Sequence, residues 1–312
     1  MHTYGGPEVL HLEEVARLVP TADEVLVQVV ATGVNRSEVR VRNGSVRDRM
    51  PLPLPLILGT DLAGLVVEVG ANVTTFQPGE AVYGMANFPR SGSYAEYAVA
   101  PVAWLAHKPA SLSFAEAAGV PQAAFTAWTG LYLAGQLQPG QRILIQGASG
   151  GVGSFAVQLA KWTGATVLAT AAASNHAFIK GLGADEVLDY SQSFEQLPAV
   201  DVVLDAVGEQ DTALQRQSVR VLRAGGRLAS VQLVPFAAEV QQALDQQPAT
   251  GVSFGMQVNA EMLTQLTHLL AQGLVRSVVS RVYPLAQAAD AHRALERRGT
   301  PGKLVLQVQP VP

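Results

Sequence analysis

The sequence predicts an α/β fold in which a doubly wound parallel sheet is joined to a separate β-barrel. Three observations carry that expectation. Between Glu24 and Leu105, short β-branched runs (EVLVQVVATG, LAGLVVEVG, EAVYGM, SYAEYAVA) are separated by Gly and Pro, the spacing of an all-β barrel or sandwich. From Ser113 onward, Ala-rich helical segments alternate with apolar strands, as in a parallel sheet covered on both faces. Inside that second region, the apolar run ILIQ meets a glycine-rich turn and then an amphipathic helix. A chain of 312 residues is also too long for one ordinary hydrophobic core, so two domains are expected, with a cleft between them as the natural site.

The strands of the second region are expected at Arg142–Gln146, Thr166–Thr170, Glu186–Leu188, Asp201–Asp205, Arg227–Val231 and Val252–Val258, which fits a six-stranded dinucleotide-binding topology. After a helix at Glu261–Ala271, the segments SVVSRVYPL, AQAADAHRALER and KLVLQV read as a return to the first domain. The expected division is therefore residues 1–121 and 259–312 for the barrel, and 122–258 for the nucleotide domain. Strand 252–258 is an edge that could pair with its copy in a homodimer.

Composition narrows the function. The balance of 21 basic and 25 acidic side chains, formally −4, gives no general field for phosphate backbones or anionic lipid, and no Lys/Arg cluster stands out, so nucleic acid is disfavoured as a partner. Without cysteine there is no disulfide, thiolate zinc site or cysteine nucleophile. The opening MHTYGGPEVL lacks the basic and apolar regions of a secretory signal. The charge-poor stretch from Ala117 to Gln141 is interrupted by two prolines, which argues against a membrane span. A cytoplasmic protein acting on a small molecule is the expectation.

The strongest local signal is ILIQGASGGVGSFAVQLAKWTGA. Glycine lets the backbone turn tightly and approach a diphosphate without Cβ interference, while the following helix presents free N–H groups and a partial positive charge. The next strand ends in Ala171, Ala172 and Ala173, followed by Ser174, Asn175 and His176, with Lys180 one helical turn further on. No acid stands where one would bind the ribose hydroxyls of NADH. That favours NADPH, with NADH still possible.

The series YGGPEVLHLEEV, ATGVNRSEVRVRNG, PLILGTDLAGLVVEVGANVTTFQPGEAVYG, GSYAEYAVAP, EAAGVPQAAFTAWTGL, GASGGVG, LGADEVLDY and PGKLVLQV resembles, in order and spacing, the zinc-free quinone oxidoreductase branch of the medium-chain dehydrogenase/reductase superfamily. The resemblance implies a GroES-like barrel beside a Rossmann domain, NADPH in the cleft, and hydride delivered to a quinone or an α,β-unsaturated carbonyl. In zinc-dependent members a cysteine stands at the position of Asn35 and Gly-His-Glu near Gly59-Thr60-Asp61, so both ligand positions are lost and no zinc is expected. By the same matching, Asn35 lies beside the nicotinamide and Thr126 contacts the cofactor; Asn35 or a backbone N–H is expected to polarise the substrate carbonyl. Ser149, Gly150, Gly151 and Val152 hold the diphosphate, and Ser174, Asn175 and His176 face the 2′-phosphate. Tyr190 lies against the adenosine phosphate. Val207, Val231, Phe254 and Gly255 approach the cofactor from later strands, and Lys303 points into the cleft.

Two departures are visible. Relatives begin with an extra strand before YGGPEVL, so the N-terminal edge of the barrel is expected to be unprotected, or the start of the chain misplaced; and Arg40 stands where some relatives carry a proton-donating tyrosine. With no dedicated acid in view, solvent is expected to supply the final proton. An NADP(H)-binding protein with little or no turnover is the alternative reading, because function sits in the site and not in the fold.

Overall fold

A computed structural model describes residues 1–194, 197–208, 211–297 and 299–310. The chain forms two compact units, Met1–Ala123 with Val258–Pro312, and Ala124–Gln257, where the sequence pattern had put the divisions at 121/122 and 258/259. In chain order the elements are β1 (Glu24–Val34), α1 (Arg36–Arg42), β2 (Asp61–Val69), β3 (Ala81–Met85), β4 (Tyr97–Pro101), β5 (Leu105–His107), α2 (Phe114–Ala118), α3 (Pro121–Trp128), β6 (Arg142–Gln146), α4 (Gly151–Trp162) and β7 (Thr166–Ala171). They continue with α5 (His176–Lys180), β8 (Glu186–Asp189), β9 (Val200–Asp205), α6 (Thr212–Arg220), β10 (Leu222–Val231), α7 (Ala238–Gln246), β11 (Thr250–Phe254), α8 (Ala260–Ala271), β12 (Val279–Pro284), α9 (Ala288–Glu296) and β13 (Lys303–Gln307).

The first unit is built around β1. One edge of β1 pairs antiparallel with β2, and the other is shared, its first half by β4 and its second half by β13. Irregularities in the β1–β2 register at Leu26/Val27 and Val29/Ala31 bend the sheet. Val25, Val27 and Val29 meet Leu62, Val66 and Val82 in the main core. Helix α9 packs a smaller core against Tyr283, Leu304 and Leu306. This topology brings the start of β2, the end of β1 and the start of β13 together, and a buried polar cluster gathers there. The amino group of Met1 donates to the Leu56 carbonyl at 2.8 Å, and the Leu56 N–H returns to Met1 at 2.9 Å, so the first residue is tied down. By contrast Leu12, Val15 and Val19 are exposed, in a stretch without regular structure.

The second unit is a parallel sheet in the order β11-β10-β9-β6-β7-β8. Strand order reverses between β6 and β9, which is where open α/β sheets take ligands beyond their carboxyl ends. All six expected strands are present, but the last ends earlier than its pattern suggests. Strand β11 pairs with β10 only from Thr250 opposite Arg227 to Phe254 opposite Val231, and stops where its one neighbour stops. Both units together give the GroES-like plus Rossmann architecture. Among the described residues no helix is long and apolar enough to cross a membrane.

Candidate cofactor and reduction site

In the second unit, β6 delivers the chain to Gly147 in the left-handed region, φ +67°, and helix α4 begins at Gly151 with Gly150 as its N-cap. Gly150 donates to the Gly147 carbonyl at 3.1 Å and Ala148 donates to Thr170 at 3.2 Å, which pins the turn to the sheet. The glycines have different reasons to be there. A Cβ on Gly153 would sit 2.3 Å from the Gly147 carbonyl oxygen, so the close packing of α4 on the turn excludes one. A Cβ on Gly150 would meet nothing nearer than that oxygen at 3.5 Å. The fold does not need glycine at 150. Ser149, Gly151 and Val152 are half-buried beside it, and the first N–H groups of α4 lack intrahelical partners.

Around this turn the later strand ends are held by buried hydrogen bonds. Asp205 Oδ1 accepts from the N–H groups of Val207 and Gly208 at 3.0 and 3.2 Å, while its Oδ2 accepts from the Ser230 hydroxyl at 2.6 Å. That carboxylate sets Val207 and, through Ser230, the end of β10 at Val231. Phe254 is buried and Gly255 half-buried after β11. Thr126 lies within α3, buried. At the end of β7, Ser174 is exposed and Asn175 buried, and His176 Nε2 donates to the Ala171 carbonyl at 3.3 Å. Tyr190 is 61 % exposed.

The corner after β7 is not free of negative charge, contrary to the expectation from the three alanines. Asp189, from the end of β8, accepts from the Ala173 N–H at 3.1 Å. The Ser191 hydroxyl and N–H, together with His176, hold its carboxyl below the usual range. Strand β7 itself carries no acid, but its neighbour β8 does, and adjacency in a sheet cannot be read from one strand.

The first unit contains a buried polar cluster that the sequence showed only in fragments. Asp61 is fully buried; its Oδ1 accepts from the Gln122 N–H at 2.7 Å, and its Oδ2 from Asn35 Nδ2 at 2.9 Å and Lys303 Nζ at 3.3 Å. Lys303 also donates to Asn35 Oδ1 and to the Val34 carbonyl. Glu38 accepts from the Asn35 N–H at 2.6 Å, Asn35 Nδ2 at 3.2 Å, the Thr60 N–H at 3.1 Å and hydroxyl at 3.0 Å, and Tyr94 at 3.1 Å.

Two expectations change as a result. Both hydrogens of the Asn35 amide are taken by Glu38 and Asp61, so Asn35 has no donor left to polarise a substrate carbonyl. Lys303 is 3 % exposed with its ammonium surrounded by oxygen from its own unit, so it is a counter-ion to Asp61 and not a group reaching outward. Glu38 and Tyr94 were missed. The Asn35-x-x-Glu38 spacing, which is that of a capping box, was the available signal that Glu38 folds back onto the Asn35 backbone. The same cluster answers the question of zinc. The oxygens nearest the lost ligand positions already enclose a cation, the Lys303 ammonium, and the donor set has no sulfur or imidazole, so it does not fit the metal. Among the described residues no group of three or more His, Cys, Asp or Glu side chains is arranged to hold a metal ion.

Behind Glu38 lies a directional chain. Arg42 NH1 can only donate, so at 3.1 Å it fixes His292 Nδ1 as acceptor; Nε2–H then donates to Tyr94 Oη at 3.1 Å, and Tyr94 donates to Glu38. Arg42 is anchored in turn by Glu296. Burial and the Arg42 charge push His292 down to about 3. Burial and the Asp61 carboxylate push Glu38 up to about 7, with Lys303 and Asn35 opposing.

These shifts act on stability with opposite signs. The unfolded histidine takes a proton below about 6.5 and the folded one does not, so its contribution is full above 6.5 and is lost toward pH 3. The unfolded glutamate loses its proton at 4.5 and the folded one near 7, so its cost is absent below 4.5 and complete above 7. Removing the titrating histidine isolates one of the two. The difference in unfolding free energy between wild type and His292→Gln, read by urea denaturation, is expected to grow by on the order of 2 kcal/mol from pH 4.5 to 6.5.

The chain is similar to known proteins along nearly its whole length. Residues 21–110 match the alcohol dehydrogenase GroES-like domain model and residues 182–306 the zinc-binding dehydrogenase model. The chain is 37 % identical to a 2-methylene-furan-3-one reductase of Solanum lycopersicum, over 99 % of this chain and 78 % of that protein. It is 35 % identical to a chloroplastic NADPH-dependent alkenal/one oxidoreductase of Arabidopsis thaliana over the same shares. Among solved structures, the quinone oxidoreductase of Coxiella burnetii superposes with a TM-score of 0.91 at 35 % identity, covering 99 % of this chain and 98 % of that one. The Escherichia coli quinone oxidoreductase complexed with NADPH superposes with a TM-score of 0.87 at 30 % identity, covering 98 % of each. On this evidence the chain belongs to the medium-chain dehydrogenase/reductase superfamily, in its zinc-free quinone oxidoreductase branch.

Proposed function

We propose that this chain is an NADPH-dependent oxidoreductase that transfers hydride to a quinone or an α,β-unsaturated carbonyl without zinc. The observation that carries the reading is the turn from Gly147 to Gly153, where Gly150 leaves room that the fold itself does not require. The relatives named for NADPH-dependent reduction of alkenals and quinones support the choice of cofactor and acceptor. Bound NADPH supplies the hydride and its two electrons.

The residues of the chain bind and orient. Backbone N–H groups of Ser149, Gly150, Gly151 and Val152 meet the diphosphate at the mouth of α4. Ser174, Asn175 and His176, with Lys180 nearby, face the 2′-phosphate, where Asp189 opposes them. Tyr190 offers its exposed ring to the adenosine. Val207, Val231, Phe254 and Gly255 follow the strand ends toward the nicotinamide, as does Thr126. Asn35 and Lys303 act one step back, holding Asp61, Glu38 and the half-buried Thr60 in place. The acceptor carbonyl lies against Ser37, Thr60 and Gln122, the half-buried face of the cluster. A cytoplasmic homodimer joined along the β11 edge completes the reading.

Titration with both reduced nucleotides tests it. NADPH should bind saturably and more tightly than NADH, and a panel of quinones and enones should oxidise it. A protein that binds neither nucleotide, or binds NADPH and reduces none of the panel, is not this enzyme.

A further inference from the structure

The reduction consumes one proton for each hydride, and the first unit holds a group suited to supply it. Three ionisable side chains meet in the cluster, Glu38, Asp61 and Lys303, exposed to 2 %, 0 % and 3 %. Two carboxylates share one ammonium. Burying an unbalanced charge is costly, so the cluster favours keeping one proton on a carboxyl. Of the two, Asp61 is enclosed by the Gln122 N–H, Asn35 and Lys303, while Glu38 alone touches hydroxyls, Tyr94 on its inner side and one on the half-buried side.

That hydroxyl is Thr60. Its Oγ1 lies 3.0 Å from Glu38 Oε1 and 2.7 Å from Gln122 Oε1, and Gln122 Nε2 reaches the Ser37 hydroxyl at 2.6 Å. Thr60, Gln122 and Ser37 are half-buried whereas Glu38 is enclosed. With the proton on Glu38 the inner contact reverses: Glu38 donates to the Thr60 oxygen and the single Thr60 hydrogen points to Gln122, so the hydroxyl can take a proton on its inner side while giving one up on the outer. The opposite side of Glu38 offers no such exit. Tyr94 leads to His292 and then to Arg42, whose guanidinium does not part with a proton, so that branch orients Glu38 and ends there.

We propose that Glu38 and Thr60 form the proton donor of the reduction, resting on the assignment above of this cluster as the acceptor site. The hydride brings two electrons to the acceptor and leaves an enolate or a hydroquinone monoanion. Thr60 gives its proton to that anionic oxygen and takes the Glu38 proton in the same motion; one O–H bond forms on product and one breaks on Glu38, which is left as a carboxylate. Solvent returns the proton through Thr60 after product leaves. The groups facing Glu38 are Asp61 from β2, Lys303 from β13, Tyr94 from the loop before β4, His292 from α9 behind Tyr94, and Arg42 on its own helix. Burial and the Asp61 carboxylate, opposed by Lys303 and Asn35, raise the carboxyl to about 7, so a substantial fraction carries the proton near neutral pH.

The test uses the full chain with NADPH and the fastest acceptor from the quinone and enone panel. Glu38→Gln and Thr60→Val should lower kcat by about 10²-fold, the lower end of general-acid contributions, with KM and NADPH affinity within about twofold. Thr60→Ser should restore most of the rate. Wild-type kcat should fall as pH rises through about 7, and Glu38→Gln should lack that limb. Should Glu38→Gln not fold, the Thr60→Val and Thr60→Ser pair decides alone. Variants that bind NADPH and keep both the rate and the pH limb overturn the proton donor and leave the reductase standing. A wild type that binds no NADPH overturns both.

Discussion

Replacing Lys303 with Met should lower the unfolding free energy at pH 7 by about 3–5 kcal/mol, the range for stripping one partner from a buried ion pair. Methionine fills the volume of the lysine stem but supplies no donor. Asp61, fully buried, would then keep only the Gln122 N–H and Asn35, and the Asn35 Oδ1 and Val34 carbonyl would lose a donor together. Asp61 would face the Glu38 carboxyl through one amide with no cation beside it. The loss should shrink toward pH 5, because protonating a carboxyl removes the charge that has lost its partner. Adding Asp61→Asn should recover part of it, and the size of the recovery measures the coupling. Urea denaturation at both pH values decides the matter. A loss under about 1 kcal/mol at pH 7 would mean that water reaches the cluster and that the pair is not buried in the sense used here.

The contrast between what could and could not be read from the chain has a physical cause. Strands β6 to β9 were legible because each is a short apolar run closed by a turn, and their pattern is local, whereas β10 begins at Leu222, before the expected Arg227, with a polar, glycine-containing first half. The turn at Gly147 was legible because a backbone conformation and a close approach both demand glycine. Ends were less certain: β11 stops at Phe254 because β10 stops opposite it, which is a fact about a neighbour. The buried polar cluster of the first unit is harder still. Arg42 meets His292 across 250 positions and Tyr94 meets His292 across 198, and single polar residues leave no periodic trace. Asn35 was found as a position but misjudged as a donor, since what exhausts its amide is Glu38 on the next turn and Asp61 on the next strand. Asp189 was missed for the same reason, a neighbouring strand bringing it to a corner that looked uncharged.

The two glycines at the start of α4 should respond to alanine in opposite ways, and this separates folding from binding within one turn. At Gly153 the new Cβ would meet the Gly147 oxygen at 2.3 Å and Ala148 Cα at 2.5 Å, both backbone atoms that no rotamer change can move. Gly153→Ala should therefore destabilise by about 2 kcal/mol or more, in the range of overpacked sites. Gly150 has φ −74° and ψ 178°, an ordinary conformation for any residue, and its Cβ would have no contact closer than 3.5 Å. Gly150→Ala should leave stability within about 0.5 kcal/mol, or raise it slightly by restricting the unfolded chain. Its effect should fall on the ligand: a methyl group where the diphosphate approaches the backbone should weaken NADPH by about 10- to 100-fold, equivalent to roughly 1.4–2.8 kcal/mol. Thermal unfolding and nucleotide titration on both variants give the comparison. If Gly150→Ala folds and binds NADPH as tightly as the wild type, the space at that N-cap does not belong to a diphosphate, and the cofactor must be sought elsewhere in the second unit.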